Sequence, residues 1–203
     1  MNWDRLFEDL EGQLASEWEA ERAVLDAETE RLRIAHLTLR DRVRSLCGRR
    51  ASLVVELSNG RRLPLIARTV GADWMAAEAA TAIGVHPTRT LLLLPLHAIV
   101  SVTTDHGMLL GSLEEEAGAA PSLRERMTLG FVLRDLARRR VPLHLSVRAG
   151  DDVHGTIDRA GVDHLDLAVH DAGVARLASA VQSFRIVPLA AVVSIRMAGD
   201  QRL

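Results

Sequence analysis

Lysine and tyrosine are absent from this 203-residue chain, cysteine occurs once, and aromatic residues make up only 3%. Each scarcity excludes something. The single Cys47 rules out an intrachain disulfide and gives no pointer to an oxidising compartment. With so few rings, any core must be filled by Leu, Val, Ile and Ala. A surplus of positive charge is also lacking: the formal net charge is −2, so a nucleic-acid site would have to be a local patch. All 25 basic residues are arginine, which reads first as codon bias and second as selection for phosphate-binding forks. The longest apolar run, Leu91 to Val102, is broken by Pro95 and His97 and falls short of the ~20 residues of a membrane helix. The start, Asn2-Trp3-Asp4, is acidic and unlike a secretory leader. A soluble, cytoplasmic protein with no membrane partner is expected.

What is present begins with helical periodicity. From Asn2 to Leu46 there is no proline, and Trp3, Leu6, Leu10 and Leu14 recur at helical spacing. Trp18, Leu25, Leu32, Leu39 and Leu46 then follow at intervals of seven, the d-position signature of a coiled coil. The matching a positions, Ala15, Arg22, Thr29, His36 and Val43, are weaker. One long amphipathic helix over residues 1–47 is therefore expected. It either packs locally or mediates oligomerisation through the five d residues, and Gly48 is its stop signal.

Beyond it lies an internal repeat. Residues 49–75 laid over 139–165, at an offset of ninety, align Arg49 with Arg139, Leu53 with Leu143, Gly60 with Gly150, Gly71 with Gly161 and Asp73 with Asp163. The apolar alternation Leu53, Val55, Leu57 matches Leu143, Leu145, Val147, so both copies open on half-buried strands. A second block, Pro95 to Val102, matches Pro188 to Ile195 after three inserted residues. Five short bent strands per copy, each copy preceded by a helix, predict an α+β, mainly β fold in which each copy curls into a small barrel. The expected boundaries are a first barrel at 48–106, an acidic linker at 107–121, and a helix plus second barrel at 122–198, the helix opened by the capping pair Ser122 and Glu125.

These residues resemble the Sm-like (LSm/Hfq-like) small β-barrels. Gly155 leading to Gly161-Val162-Asp163-His164-Leu165-Asp166 is similar to that family's first motif, and His97-Ala98-Ile99 to the second motif of bacterial Hfq. The resemblance implies two tandem five-stranded barrels and RNA as ligand. Ala76 and Asp166, however, stand where the family places its base-holding Asn.

Arg49, Arg50, Arg61 and Arg62 form the densest basic cluster of the first copy and, with Trp74, are the candidate nucleic-acid contacts. The bland alternatives are solvated arginines at turns and helix ends, and a tryptophan packed beneath the helix. His164, Asp166 and His170 alternate on one strand, but i, i+2 and i+6 span roughly 20 Å and cannot grip one ion. No catalytic residue, metal site or cofactor is indicated. Two functions follow as expectations: a non-enzymatic RNA-binding or post-transcriptional regulatory module, or a protein-interaction scaffold that dimerises through its N-terminal helix.

Overall fold

The computed structural model describes residues 3–81, 88–114, 122–150, 152–174 and 176–197. The chain divides into two compact units, Met1–Thr38 and Leu39–Leu203. The first unit is helix α1, Trp3–His36. Its last turn tightens, with the Leu37 N–H donating to the Ile34 carbonyl at 3.1 Å. The continuous helix expected through Leu46 therefore ends a quarter short. Residues 37–38 are non-helical, and α2 (Leu39–Gly48) starts anew behind Thr38, a residue type suited to an N-cap, with Asp41 in its first turn.

The second unit is built on strands β1 (Ser52–Leu57), β2 (Arg62–Val70), β3 (Trp74–Thr81), β4 (Thr88–Pro95) and β5 (Ile99–Thr103). Helices α3 (His106–Gly111), α4 (Leu123–Arg126) and α5 (Leu129–Arg138) follow. Strands β6 (Pro142–Val147), β7 (Asp152–Ala160), β8 (His164–Val169), β9 (Ser183–Pro188) and β10 (Val192–Met197) complete it. The expected linker thus holds α3 and the ion-paired Glu114, while 115–121 lie outside the described residues.

The repeat reappears in backbone detail. Two residues past each helix that precedes a first strand stands an arginine in the left-handed region, Arg50 at φ 51° and Arg140 at φ 54°. Each first hairpin turns on a positive-φ glycine, Gly60 at 79° and Gly150 at 92°, a conformation that a side chain disfavours. Both second strands carry a bulge at equivalent places, between Ala67 and Thr69 and between Ile157 and Arg159. Such bulges bend a strand and raise its twist.

The tandem barrels do not form. All ten strands join one open antiparallel sheet in the order β5-β1-β2-β3-β4-β10-β6-β7-β8-β9. Each half keeps the order fifth-first-second-third-fourth, but β4 does not close on its own β5. Its edge groups are satisfied by β10 of the other half, Leu93 facing Ile195 and Leu92 facing Arg196. The alternating burial expected of half-buried strands is present in β1 and β6. What it did not determine was which edge each last strand would meet.

Two hydrophobic clusters fill this unit, and they interlock. The first gathers Val43 and Leu46 of α2 with Leu53, Val55 and Met75, and takes in Val193 from β10. The second packs α5 residues Leu133 and Leu136 on Leu143 and Ile157, and takes in Trp74, Ala76 and Leu93 from the first half. A buried side chain of this size contributes on the order of 1.5–3 kcal/mol. Each half therefore lends apolar side chains to the other, and residues 48–106 and 122–198 are halves of one body.

Candidate interaction surfaces

On α1 the seven-residue stripe faces solvent. Leu14, Trp18, Leu25 and Leu32 are exposed by 55, 74, 67 and 55%. The side chains of Trp3, Leu6 and Leu10 lie outside the described residues. The rest of the stripe diverges from expectation. Leu39 is 47% exposed at the start of α2, whereas Leu46 is only 5% exposed and belongs to the first core, so it is withdrawn from any oligomerisation face. Charge on α1 is uneven. Between Trp3 and Glu21 stand seven carboxylates and one arginine, and between Arg22 and His36 three of each.

Three of the four candidate nucleic-acid arginines stand beside a carboxylate. Arg49 reaches Glu114 at 2.7 Å, Arg62 reaches Glu56 at 3.3 Å, and Arg61 stands 3.8 Å from Asp152. Arg50 lies in the turn after α2, its N–H bonded to the Cys47 carbonyl at 3.0 Å. Trp74, a candidate base-stacking platform, is 2% exposed, and its indole N–H donates to the Met127 carbonyl at 2.9 Å. Its neighbours serve the same junction. The Ala72 N–H also donates to the Met127 carbonyl at 2.9 Å, and Asp73 Oδ1 accepts from the Leu129 N–H, the first residue of α5, at 2.6 Å. The β2–β3 turn is thus a clamp that holds the entry of α5.

Three histidines form a row across β6, β7 and the end of β8. His144 lies opposite His154 with ring centroids 4.7 Å apart, and His154 lies 4.9 Å from His170. His170 is buried, with Nε2 2.9 Å from Thr156 Oγ1. Burial, then the nearby Arg196 and His154, hold His144 below its ordinary pKa. Among the described residues no group of three or more His, Cys, Asp or Glu side chains is placed to hold a metal ion.

One strongly charged concavity was not anticipated from the sequence. A cleft of about 540 Å³ on the β7–β9 end of the sheet is lined by Arg140, Arg159, Arg176 and Arg185, by Asp158 and Asp166, and by Phe184 and Ile186. Asp158, the bulged residue of β7, accepts from Arg176 Nε and from Arg140, each at 2.7 Å. The Arg176 hydrogen bond is the chief cause holding its carboxyl below the usual range. Arg159 is more loosely placed, 3.8 Å from Asp166 with its side chain 86% exposed. Phe184 and Ile186 are exposed by 67 and 76%. A signal for this site was available: by the offset of the second repeat block they match Leu91 and Leu93, and Leu93 is buried at the junction with β10.

Known proteins give no kinship. No family model, no curated protein and no solved structure matches the chain. The Sm-like resemblance therefore stands on short motifs alone, and the open ten-stranded sheet contradicts the barrels it implied. None of the described helices is long and apolar enough to cross a membrane.

Proposed function

We propose that this chain is a non-catalytic interaction and assembly protein whose helix α1 joins two copies. The observation that carries this reading is the exposed stripe Trp18, Leu25 and Leu32 on a 34-residue helix that forms a compact unit of its own. Helices in proteins draw most of their stability from packing an apolar face, so a long helix with its stripe in solvent lacks its main stabiliser. A second copy supplies it, each covered Leu or Trp adding roughly 1.5–3 kcal/mol. Charge selects the direction. A parallel pair sets the two carboxylate-rich N-terminal halves side by side, while an antiparallel pair sets each against Arg22, Arg31 and Arg33 of the other helix.

Sedimentation equilibrium tests this. The full chain should show a two-chain mass that falls to one chain in Leu25→Asp/Leu32→Asp, with the far-ultraviolet signature of the sheet retained. A one-chain mass for the unaltered protein at all concentrations would remove the reading. The nucleic-acid alternative has weaker support, because Arg49, Arg61 and Arg62 face carboxylates and Trp74 is buried. Salt-sensitive RNA affinity abolished in Arg61→Glu/Arg62→Glu would restore it.

A further inference from the structure

At one end of the sheet, β9 pairs with β8 on one side and, among the described residues, with no strand on the other. The direction of its free backbone groups follows from the ladder. The Leu189 N–H donates to the Asp163 carbonyl at 2.7 Å, and His164 to Val169 pair in regular register with Pro188 to Ser183. Antiparallel bonding alternates, so Val187 and Arg185 point their N–H and C=O groups at β8, and Phe184 and Ile186 point theirs outward. The first half shows what such an edge accepts. Its equivalent residue, Leu93, faces Ile195 of β10 in an added antiparallel strand.

The side chains around the two edges differ in kind. Where the first half has Thr69, Ala76 and Leu92, the second has Arg159, Asp166 and Arg185, and Arg176 enters from the β8–β9 loop. Four guanidiniums stand against two carboxylates in the cleft beside the open edge, which also exposes Phe184 and Ile186. An extended segment alternating carboxylate and aliphatic side chains complements this edge: its backbone pairs with β9, one face lays aliphatics on Phe184 and Ile186, and the other brings carboxylates to Arg185. Neither edge that a second copy would offer carries an acid: β5 reads Ile99-Val100-Ser101-Val102-Thr103, and β9 itself reads Ser183-Phe184-Arg185-Ile186-Val187-Pro188.

We propose that β9 and its arginine-lined cleft bind an extended acidic segment of a partner protein by strand addition. This surface lies within residues 39–203 and does not depend on helix α1. The test uses the full chain and a fluorescein-labelled peptide of alternating Glu and Val. Its anisotropy should rise saturably, with affinity that falls as salt is added. Arg159→Glu/Arg185→Glu should weaken binding by about tenfold or more, the loss of one or two charge-assisted contacts. Ile186→Pro removes an outward N–H at an edge position that tolerates proline and should weaken it comparably. A peptide N-methylated at every residue cannot form the ladder from either edge and should not bind, whatever the variants do. Equal binding of a Lys-Val analogue, undiminished binding of the N-methylated peptide, or indifference to the arginine reversals would each overturn the proposal. So would self-association lost in Ile186→Pro without peptide binding, which would make the occupant a second copy.

Discussion

The indole N–H of Trp74 donates to the Met127 carbonyl across 2.9 Å, so the residue that opens β3 of the first half grips the residue just ahead of α5 in the second. Asp73 adds its carboxylate to the Leu129 N–H. Together with β4–β10 pairing this ties the two halves of one compact unit, which are expected to unfold cooperatively.

Urea unfolding checks that cooperativity. A single transition is expected for the sheet, and two separated transitions would show that the halves fold independently. Trp74→Phe should cost about 1 kcal/mol, since Met127 keeps the Ala72 N–H, and Trp74→Ala about 3–5 kcal/mol. Asp73→Ala should cost about 1 kcal/mol, the scale of a lost helix cap.

Gly71 fills the remaining space in the clamp. A Cβ there would overlap Trp74 Nε1 and stand 2.7 Å from the Met127 carbonyl oxygen. Gly71→Ala should therefore destabilise by roughly 1–3 kcal/mol. The cost in a Trp74→Phe background should be smaller than in the unaltered protein, because the clashing nitrogen is gone; strict additivity in the double-mutant cycle would contradict this geometry.

His144 makes stability sensitive to mild acid. Burial, Arg196 and His154 hold its folded pKa below the ordinary 6.5, against a smaller opposing effect of Asp152. The unfolded chain then takes the proton first, so this residue's contribution is lost as pH falls below about 6.5 toward the folded value. Thermal melts across that range should show His144→Gln falling less than the parent. Parallel curves would contradict the assignment.

Asp158 acts in the opposite window. Arg176 and Arg140 depress its pKa, so its contribution is present above the unfolded value of about 3.9 and disappears as pH falls through the folded one. Asp158→Asn should lower the melting temperature at pH 7 and leave it nearly unchanged in strong acid. An equal loss at both pH values would point to shape rather than charge.

How much of this was legible in the sequence differs by element. The offset of ninety correctly paired Gly60 with Gly150 and Arg50 with Arg140, because turn and cap geometry depends on neighbours within a few residues. Barrel closure depends on which distant edge satisfies Leu93, and nothing local in Leu91-Leu92-Leu93-Leu94 encodes Ile195 as its partner. Leu46 shares the heptad spacing of Trp18 and Leu25, yet residues 37–38 interrupt the helix and the core claims it. Trp74 carried no sequence mark separating exposed from buried. The Asp158 cleft needs Arg140 and Arg176 brought together from either side of β7 and β8, a convergence that only the folded sheet supplies.

The central claim is that α1 is covered by a second copy, and amide hydrogen exchange of residues 11–36 across a range of protein concentrations tests it most directly. The account predicts slow exchange at high concentration that accelerates on dilution while the β-sheet amides stay protected. Exchange of α1 that is independent of concentration, whether fast or slow, would contradict it.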